Sequence, residues 1–456
     1  MTTRIEKDSM GEIEVPANAY WGAQTERSRQ HFAIGQDLMP LPVVYALAEL
    51  KQAAAKVNSR ADKLSPDKAS VIDEVCLEIL AGRHDKEFPL PVWQTGSGTH
   101  SNMNVNEVIT NRGNELAAAK LIHPNDDVNM GQSSNDIFPS ACHVAAARSL
   151  HGGLLPAMKA LEAVFEALAV EYKDLVKIGR THLQDATPLT LGQEISAWAK
   201  MLSQNRRQIE AALPDLQILA IGGTAVGTGV NTFRGFGDLV AEELSNQGLE
   251  FTASDNAFHA LTSRDALLFA HGAVNALAAN LLKIANDIRM LGMGPRAGLS
   301  ELILPANEPG SSIMPGKVNP TQCEQLSMVC VEVMGNQTTI SIAASQGNFQ
   351  LNVYTPVIIH NFLRSAELLT DSLHMFTHYC ASGLKANQAK IQANLEQSLM
   401  LVTALSPKLG YEAAAKIAKL AFVENLTLKE AVLRETKFTA EEADDLLDPR
   451  HMLSPE

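Results

Sequence analysis

The run Val333–Leu363, VMGNQTTISIAASQGNFQLNVYTPVIIHNFL, contains no Asp, Glu, Lys or Arg over 31 residues. That is long enough to span a membrane, but twelve of its residues are Asn, Gln, Ser or Thr, and Gly347 and Pro356 interrupt it. A helix facing lipid does not tolerate so much polar side chain, because the bilayer supplies no hydrogen-bond partners. The run is therefore expected to lie inside protein. A charge-free helix needs cover on all sides, which is hard to find within one chain of 456 residues, so self-association is expected.

Working outward from this run, the apolar period is helical nearly everywhere. Val43, Leu47, Leu50, Ala54 and Val57 recur at helical steps, and Ser65-Pro66 reads as N-cap and first residue of a helix ending near Gly82. Val274, Leu277, Leu281, Ile284 and Ile288 form a seam suited to near-parallel helix packing. Two capping-box patterns, Thr427 to Glu430 and Thr439 to Glu442, mark short helices near the C-terminus. The reading is a mainly α chain in three parts. Residues 1–132 form a mixed, mostly helical N-terminal domain, 133–390 a central long-helix bundle, and 391–456 a small helical domain.

Composition narrows the partners. Hydrophobic residues make up 46% and aromatic ones only 5%, as aliphatic helix packing prefers. The balance of 37 basic against 51 acidic residues gives a net charge of −14, which argues against nucleic acid and anionic membrane as partners. Small anions remain possible where local cations and helix N-termini overcome the global field. The five cysteines are scattered without CxxC spacing, the pattern of free thiols in a reducing compartment. Met1–Glu12 is charged and carries no apolar run, so no secretory signal is expected and a cytoplasmic location is.

Four Gly- and polar-rich segments punctuate the helices: Gln94–Asn106, His123–Asp136, Ile221–Gly237 and Met293–Pro320. Ordered irregular segments on a helical scaffold are where function is expected. The richest is Gly310-Ser311-Ser312-Ile313-Met314-Pro315-Gly316-Lys317-Val318-Asn319-Pro320. It presents hydroxyls, backbone N–H groups and one cation. It is not a P-loop, because five residues rather than four separate Gly310 from Gly316, and Val318 stands where a Ser or Thr would hold magnesium. Taken alone, it reads equally as a solvent loop with an incidental Lys. Ile221–Gly237 holds six glycines without the dinucleotide spacing, and there is no HExxH, EF-hand or CxxC arrangement, so neither cofactor nor metal is expected.

That eleven-residue loop resembles the signature of the fumarase/aspartase superfamily. Thr95-Gly96-Ser97-Gly98-Thr99, with Asn102-Met103-Asn104 and Asn106-Glu107, is similar to the family's first region. Gly131-Gln132-Ser133-Ser134-Asn135-Asp136, with Gly179-Arg180-Thr181-His182-Leu183-Gln184-Asp185-Ala186-Thr187-Pro188, is similar to its second, and similarity to class II fumarases begins at Trp21-Gly22-Ala23-Gln24-Thr25. Met130-Gly131 and Gln350 depart from the usual pattern without touching an assigned role.

The resemblance implies a three-domain fold with a central helix bundle and a homotetramer whose active sites each draw on three subunits. It implies reversible anti addition of water to fumarate, giving L-malate through an aci-carboxylate, as in the citric acid cycle. Ser311 corresponds to the general base, necessarily an alkoxide or nearly so. Lys317 and Asn319 would hold the carboxylate on which charge develops. His182, oriented by Glu324, would serve the water side. Ser97, Thr99, Ser133, Ser134, Asn135, Thr181 and Ser312 would bind substrate as neutral donors. His123, Asn125 and Asp126 resemble a second dicarboxylate site, although His123-Pro124-Asn125-Asp126 also reads as an ordinary turn. Aspartate ammonia-lyase is the nearest alternative activity; Ser97, Ser134 and Ala186-Thr187-Pro188 lean away from it. A catalytically silent scaffold is the other, and the polar loops argue against it.

Overall fold

Val43, Leu47, Leu50, Ala54 and Val57 all turn inward from the helix Leu41–Arg60, as their spacing requires. The computed structural model describes residues 2–245 and 248–454, and among these it is 62% helical with 17 α-helices. Ser65 and Pro66 open the helix Pro66–Leu80, and Gly82 follows it at φ +72°, where a side chain would be strained. The seam Val274 to Ile288 lies wholly buried on the helix Asp265–Leu291. Both capping boxes form, with Thr427 and Thr439 each accepting from the N–H three residues on, at 3.2 Å.

The described chain groups into two compact units, each drawn from three segments. The first comprises Met1–Pro156, Arg207–Ala278 and Val331–Thr370. In it the helix Leu41–Arg60 packs against the helices Pro66–Leu80, Ser134–Arg148 and Phe236–Leu244. An N-terminal hairpin, Thr3–Asp8 with Gly11–Pro16, is pinned to the helix Ala23–His31 by Arg27, whose Nε lies 2.8 Å from an oxygen of Asp8.

The second unit comprises Ala157–Arg206, Ala279–Cys330 and Asp371–Glu456. An antiparallel hairpin, Val176–Thr181 with Gln184–Thr190, lies against the helix Gln388–Gln397. Ile178 of that hairpin joins Leu395, Leu405, Ile417, Ala431 and Leu446 in one core, so the C-terminal helices bury their apolar faces together with the hairpin.

The charge-free run departs from the sequence reading. It is two helices, Thr321–Ala344 and Thr355–Tyr379, separated by a turn. Asn352 explains the break: its side chain donates to Ala343 O at 3.1 Å, closing the first helix, and accepts from Tyr354 N at 2.8 Å, opening the second. Phe349, at the turn's tip, is 90% exposed with φ +51°, while Ile342 and Val331 are each 61% exposed. Val333, Ile340, Ile358, Ile359 and Phe362 are buried within the chain, but the described residues do not cover Phe349 and Ile342. The helix Asp265–Leu291 has the length and mean hydropathy, 1.4, of a membrane span, yet only 44% of its most apolar window is buried.

Candidate active site

In the first unit, the segment expected to be irregular through Asn106 becomes helical at Thr99, the first residue of the helix Thr99–Leu116. The cause is Gly98 at φ +76°, which turns the chain into the helix where an added Cβ would meet the Phe138 ring at 2.2 Å. Gln94 then accepts from Ser101 N at 3.0 Å, satisfying a helix-start donor. The hydroxyls of Ser97 and Thr99 meet at 2.8 Å, so this region presents two linked neutral groups.

Ser133 caps the helix Ser134–Arg148, its N–H bonded to Asp136 at 2.9 Å in a capping box. Asp136 also accepts from Gly222 N at 3.0 Å and Thr224 N at 2.8 Å, and Asn135 donates to Ala225 O at 2.9 Å. The glycine-rich segment therefore serves as a backbone cradle for the start of this helix. Burial raises the Asp136 carboxyl to about 6, against the pull of the N–H groups of Ser133, Thr224 and Gly222. Ser134 is the first residue of the helix, and its Oγ accepts from Asn102 Nδ2 at 3.0 Å.

The chain at His123-Pro124-Asn125-Asp126 forms one wide helical turn, Pro124–Val128, capped by His123. Asp127 anchors it, accepting from His123 N and from Lys68 Nζ, both at 2.8 Å. His123, Asn125 and Asp126 are left exposed, with the His123 ring 3.2 Å from the Asp126 carboxylate.

In the second unit, His182 and Leu183 are the two turn residues of the hairpin, at φ +56° and +59°. That pair of left-handed residues is what a two-residue hairpin turn demands, and it thrusts Thr181 and His182 into the open. The hairpin is held from behind by Glu301, which is fully buried. Its carboxylate meets Arg180 at 2.6 Å, Lys177 at 3.1 Å and Asn394 at 3.0 Å. Burial pushes Glu301 upward, but Arg180, Lys177 and Asn394 outweigh it and hold the carboxyl below the usual range.

The Gly310–Pro320 loop closes on itself. Gly310 N donates to Lys317 O at 2.9 Å, and Asn319 Nδ2 donates to Gly310 O at 2.7 Å. Ser311 Oγ accepts from the backbone N–H of Met314 at 3.1 Å and of Ile313 at 3.3 Å. Two donors aimed at one hydroxyl oxygen favour negative charge on it. Ser312 and Lys317 are exposed beside it, and one N–H of Asn319 is spent on bracing the loop. Glu324, exposed in the first turn of the helix Thr321–Ala344, makes no hydrogen bond to His182 within this chain.

Lys51 was not singled out from the sequence, and Glu107 was quoted there only as part of a motif, without a role. Glu107 is buried, and its carboxylate accepts from Gly22 N, Gln24 N, Thr25 N and Thr25 Oγ1 at 2.9, 2.9, 3.2 and 2.6 Å. The Trp21–Thr25 motif is thus a socket for Glu107, and a Cβ on Gly22 would fall 2.9 Å from that carboxyl. Lys51 is fully buried among Asn102, Asn129 and Gln132. Burial pulls it down to about 7, with Cys76 and Asp136 opposing. The signal was a cation among the apolar positions Leu47, Leu50 and Ala54.

Comparison with known proteins bears on what these groups do. Residues 11–335 match the family model described as Lyase, and residues 401–454 that described as Fumarase C C-terminus. Fumarate hydratase class II of Listeria monocytogenes serotype 4b is 58% identical over 98% of this chain and 99% of its own. That of Bacillus subtilis is 55% identical, with both chains fully covered. The crystal structure of a class II fumarase from Schistosoma mansoni superposes with a TM-score of 0.96 at 44% identity, covering 99% of each chain.

Proposed function

The chain belongs to the class II fumarate hydratases, hydro-lyases of the fumarase/aspartase superfamily, and from that premise we propose how its residues hydrate fumarate. Read in the direction of malate dehydration, Ser311 Oγ takes the proton from the carbon beside a carboxylate. The electron pair moves into that carboxylate to give the aci-carboxylate dianion. The hydroxyl then leaves from the opposite face with a proton delivered from the side of His182 and Glu324. Hydration is the reverse.

The observation that carries this reading is the pair of backbone N–H groups on Ser311 Oγ, at 3.1 and 3.3 Å. A serine oxygen so held is stabilised as the alkoxide the base role needs, and preorganised donors of this kind are typically worth on the order of 10² to 10³ in rate each. Lys317 and Asn319 hold the carboxylate where charge accumulates. Ser97, Thr99, Ser133, Ser134, Asn135, Thr181 and Ser312 supply neutral donors to the other.

The working form is a homotetramer in which His182 of one copy meets Glu324 and Ser311 of others. Exposed Phe349, Ile342 and Val331 support that assembly, as does the incomplete burial of the helix Asp265–Leu291. The five free, buried cysteines suit a reducing cytoplasm, where the reaction would serve the citric acid cycle.

The experiment is a spectrophotometric assay of the purified chain with L-malate and L-aspartate in parallel. Fumarate should appear from malate and be consumed on adding it to water. Ammonia release from aspartate, with fumarate untouched by water, would instead assign the ammonia-lyase reaction.

A further inference from the structure

Lys51 has no part in the proposed chemistry, yet its side chain is among the largest fully buried ones. A buried ammonium costs more than an apolar side chain of the same volume, so packing alone does not account for it. Its Nζ meets three side-chain carbonyl oxygens, those of Asn102 at 2.7 Å, Gln132 at 3.2 Å and Asn129 at 3.4 Å. Three acceptors match the three N–H bonds of the charged form.

An ammonium only donates, and that fixes the amide of Asn102: its oxygen must face Lys51, and its nitrogen must face away. Asn102 Nδ2 then donates to Ser134 Oγ at 3.0 Å and to Asn129 Oδ1 at 3.2 Å. Ser134 Oγ already accepts, and among the described residues it has no acceptor for its own proton. That proton is therefore free for an incoming anion.

We propose that Lys51 is a positioning residue for substrate binding, orienting Asn102 so that Ser134 is fixed as a hydrogen-bond donor to a substrate carboxylate. The proposal rests on the hydratase reading above and deepens it. The sequence Lys51 to Asn102 to Ser134 to carboxylate runs donor to acceptor throughout, so each bond polarises the next and the buried charge is felt at the anion without touching it.

The test compares Lys51→Met, Ser134→Ala and the double variant in steady-state fumarate hydration. Lys51→Met should raise KM about tenfold with kcat little changed, the size expected for a hydrogen bond to a charged group. The same substitution should add nothing to KM once Ser134 is Ala, because the relay then has no end. An unchanged KM, or a full additive increase in the double variant, overturns the proposal. Asn102→Asp covers the case in which Lys51→Met does not fold. It keeps the shape and pairs with Lys51, but it draws the Ser134 proton inward, and KM should again rise about tenfold; an unchanged KM overturns the relay. Failure of the parent chain to hydrate fumarate would refute the functional reading, whereas an active parent with an indifferent Lys51 refutes the relay alone.

Discussion

A serine hydroxyl in water is a poor base, and Ser311 differs from a solvent serine in having the N–H groups of Ile313 and Met314 directed at its oxygen. Ser311→Ala should lower turnover by at least ~10², with the secondary structure and oligomeric state unchanged by circular dichroism and light scattering; retention of more than a few per cent of the activity would remove Ser311 from the base role. Glu107 belongs to the same scale but answers to stability. It takes three backbone N–H groups and one hydroxyl at the start of the helix Ala23–His31. Glu107→Ala should cost on the order of 3 kcal/mol in urea unfolding by leaving those donors buried and unpaired. The loop around Ser311 could be found from sequence because Gly310, Pro315, Gly316 and Pro320 punctuate it. The partners of Glu107 and Lys51 could not, because they lie more than 50 residues away along the chain in each principal contact, 85 for Glu107 with Gly22 and 51 for Lys51 with Asn102.

At the scale of elements, what was legible followed a repeat. The seam on Asp265–Leu291 and the inward face of Leu41–Arg60 were read correctly because burial and the helical period coincide there. The hairpin Val176–Thr190 gave no such signal. Its strands lack a clean alternation, a register shift falls between Ile178 and Arg180, and its turn uses His182-Leu183 where Asn-Gly would announce a hairpin. The division of the charge-free run into two helices was signalled by Gly347, which lies in the turn, and Pro356, in the first turn of the second helix; what stayed hidden is Asn352 bonding across the gap. Gly98 tests how firmly the first region depends on its helix start. Gly98→Ala adds both a left-handed strain and a Cβ against the Phe138 ring, 2.2 Å away. The loss should be about 2–4 kcal/mol by chemical denaturation, and a neutral effect would show that the ring moves aside freely.

For the whole molecule, buried His271 makes one contribution to stability that is lost in acid. His271 is fully buried, its ring bonded to Gln337 Oε1 at 2.6 Å and to Ser365 Oγ at 2.9 Å, and burial pulls it to about 4. The unfolded chain therefore takes up this proton first as pH drops. Stability is whole above pH ~6.5 and declines toward pH ~4, by about 3 kcal/mol from this group. Asp136, raised to about 6, works in the opposite direction over part of that range, so the His271 contribution is read as the difference between the denaturant midpoints of the parent and of His271→Asn, which should shrink toward pH ~4; parallel profiles would contradict the assignment. Assembly is the larger question at this scale, because His182 and Glu324 make no hydrogen bond within one chain. The most direct measurement mixes two inactive variants, Ser311→Ala and His182→Asn, each alone slowed by ~10² or more, under conditions that exchange their subunits. If the base and the histidine come from different copies, about a quarter of the sites in random tetramers recover both, and activity should return to about a quarter of the parent's. Mixed assemblies that remain as inactive as the separate variants would contradict the shared site.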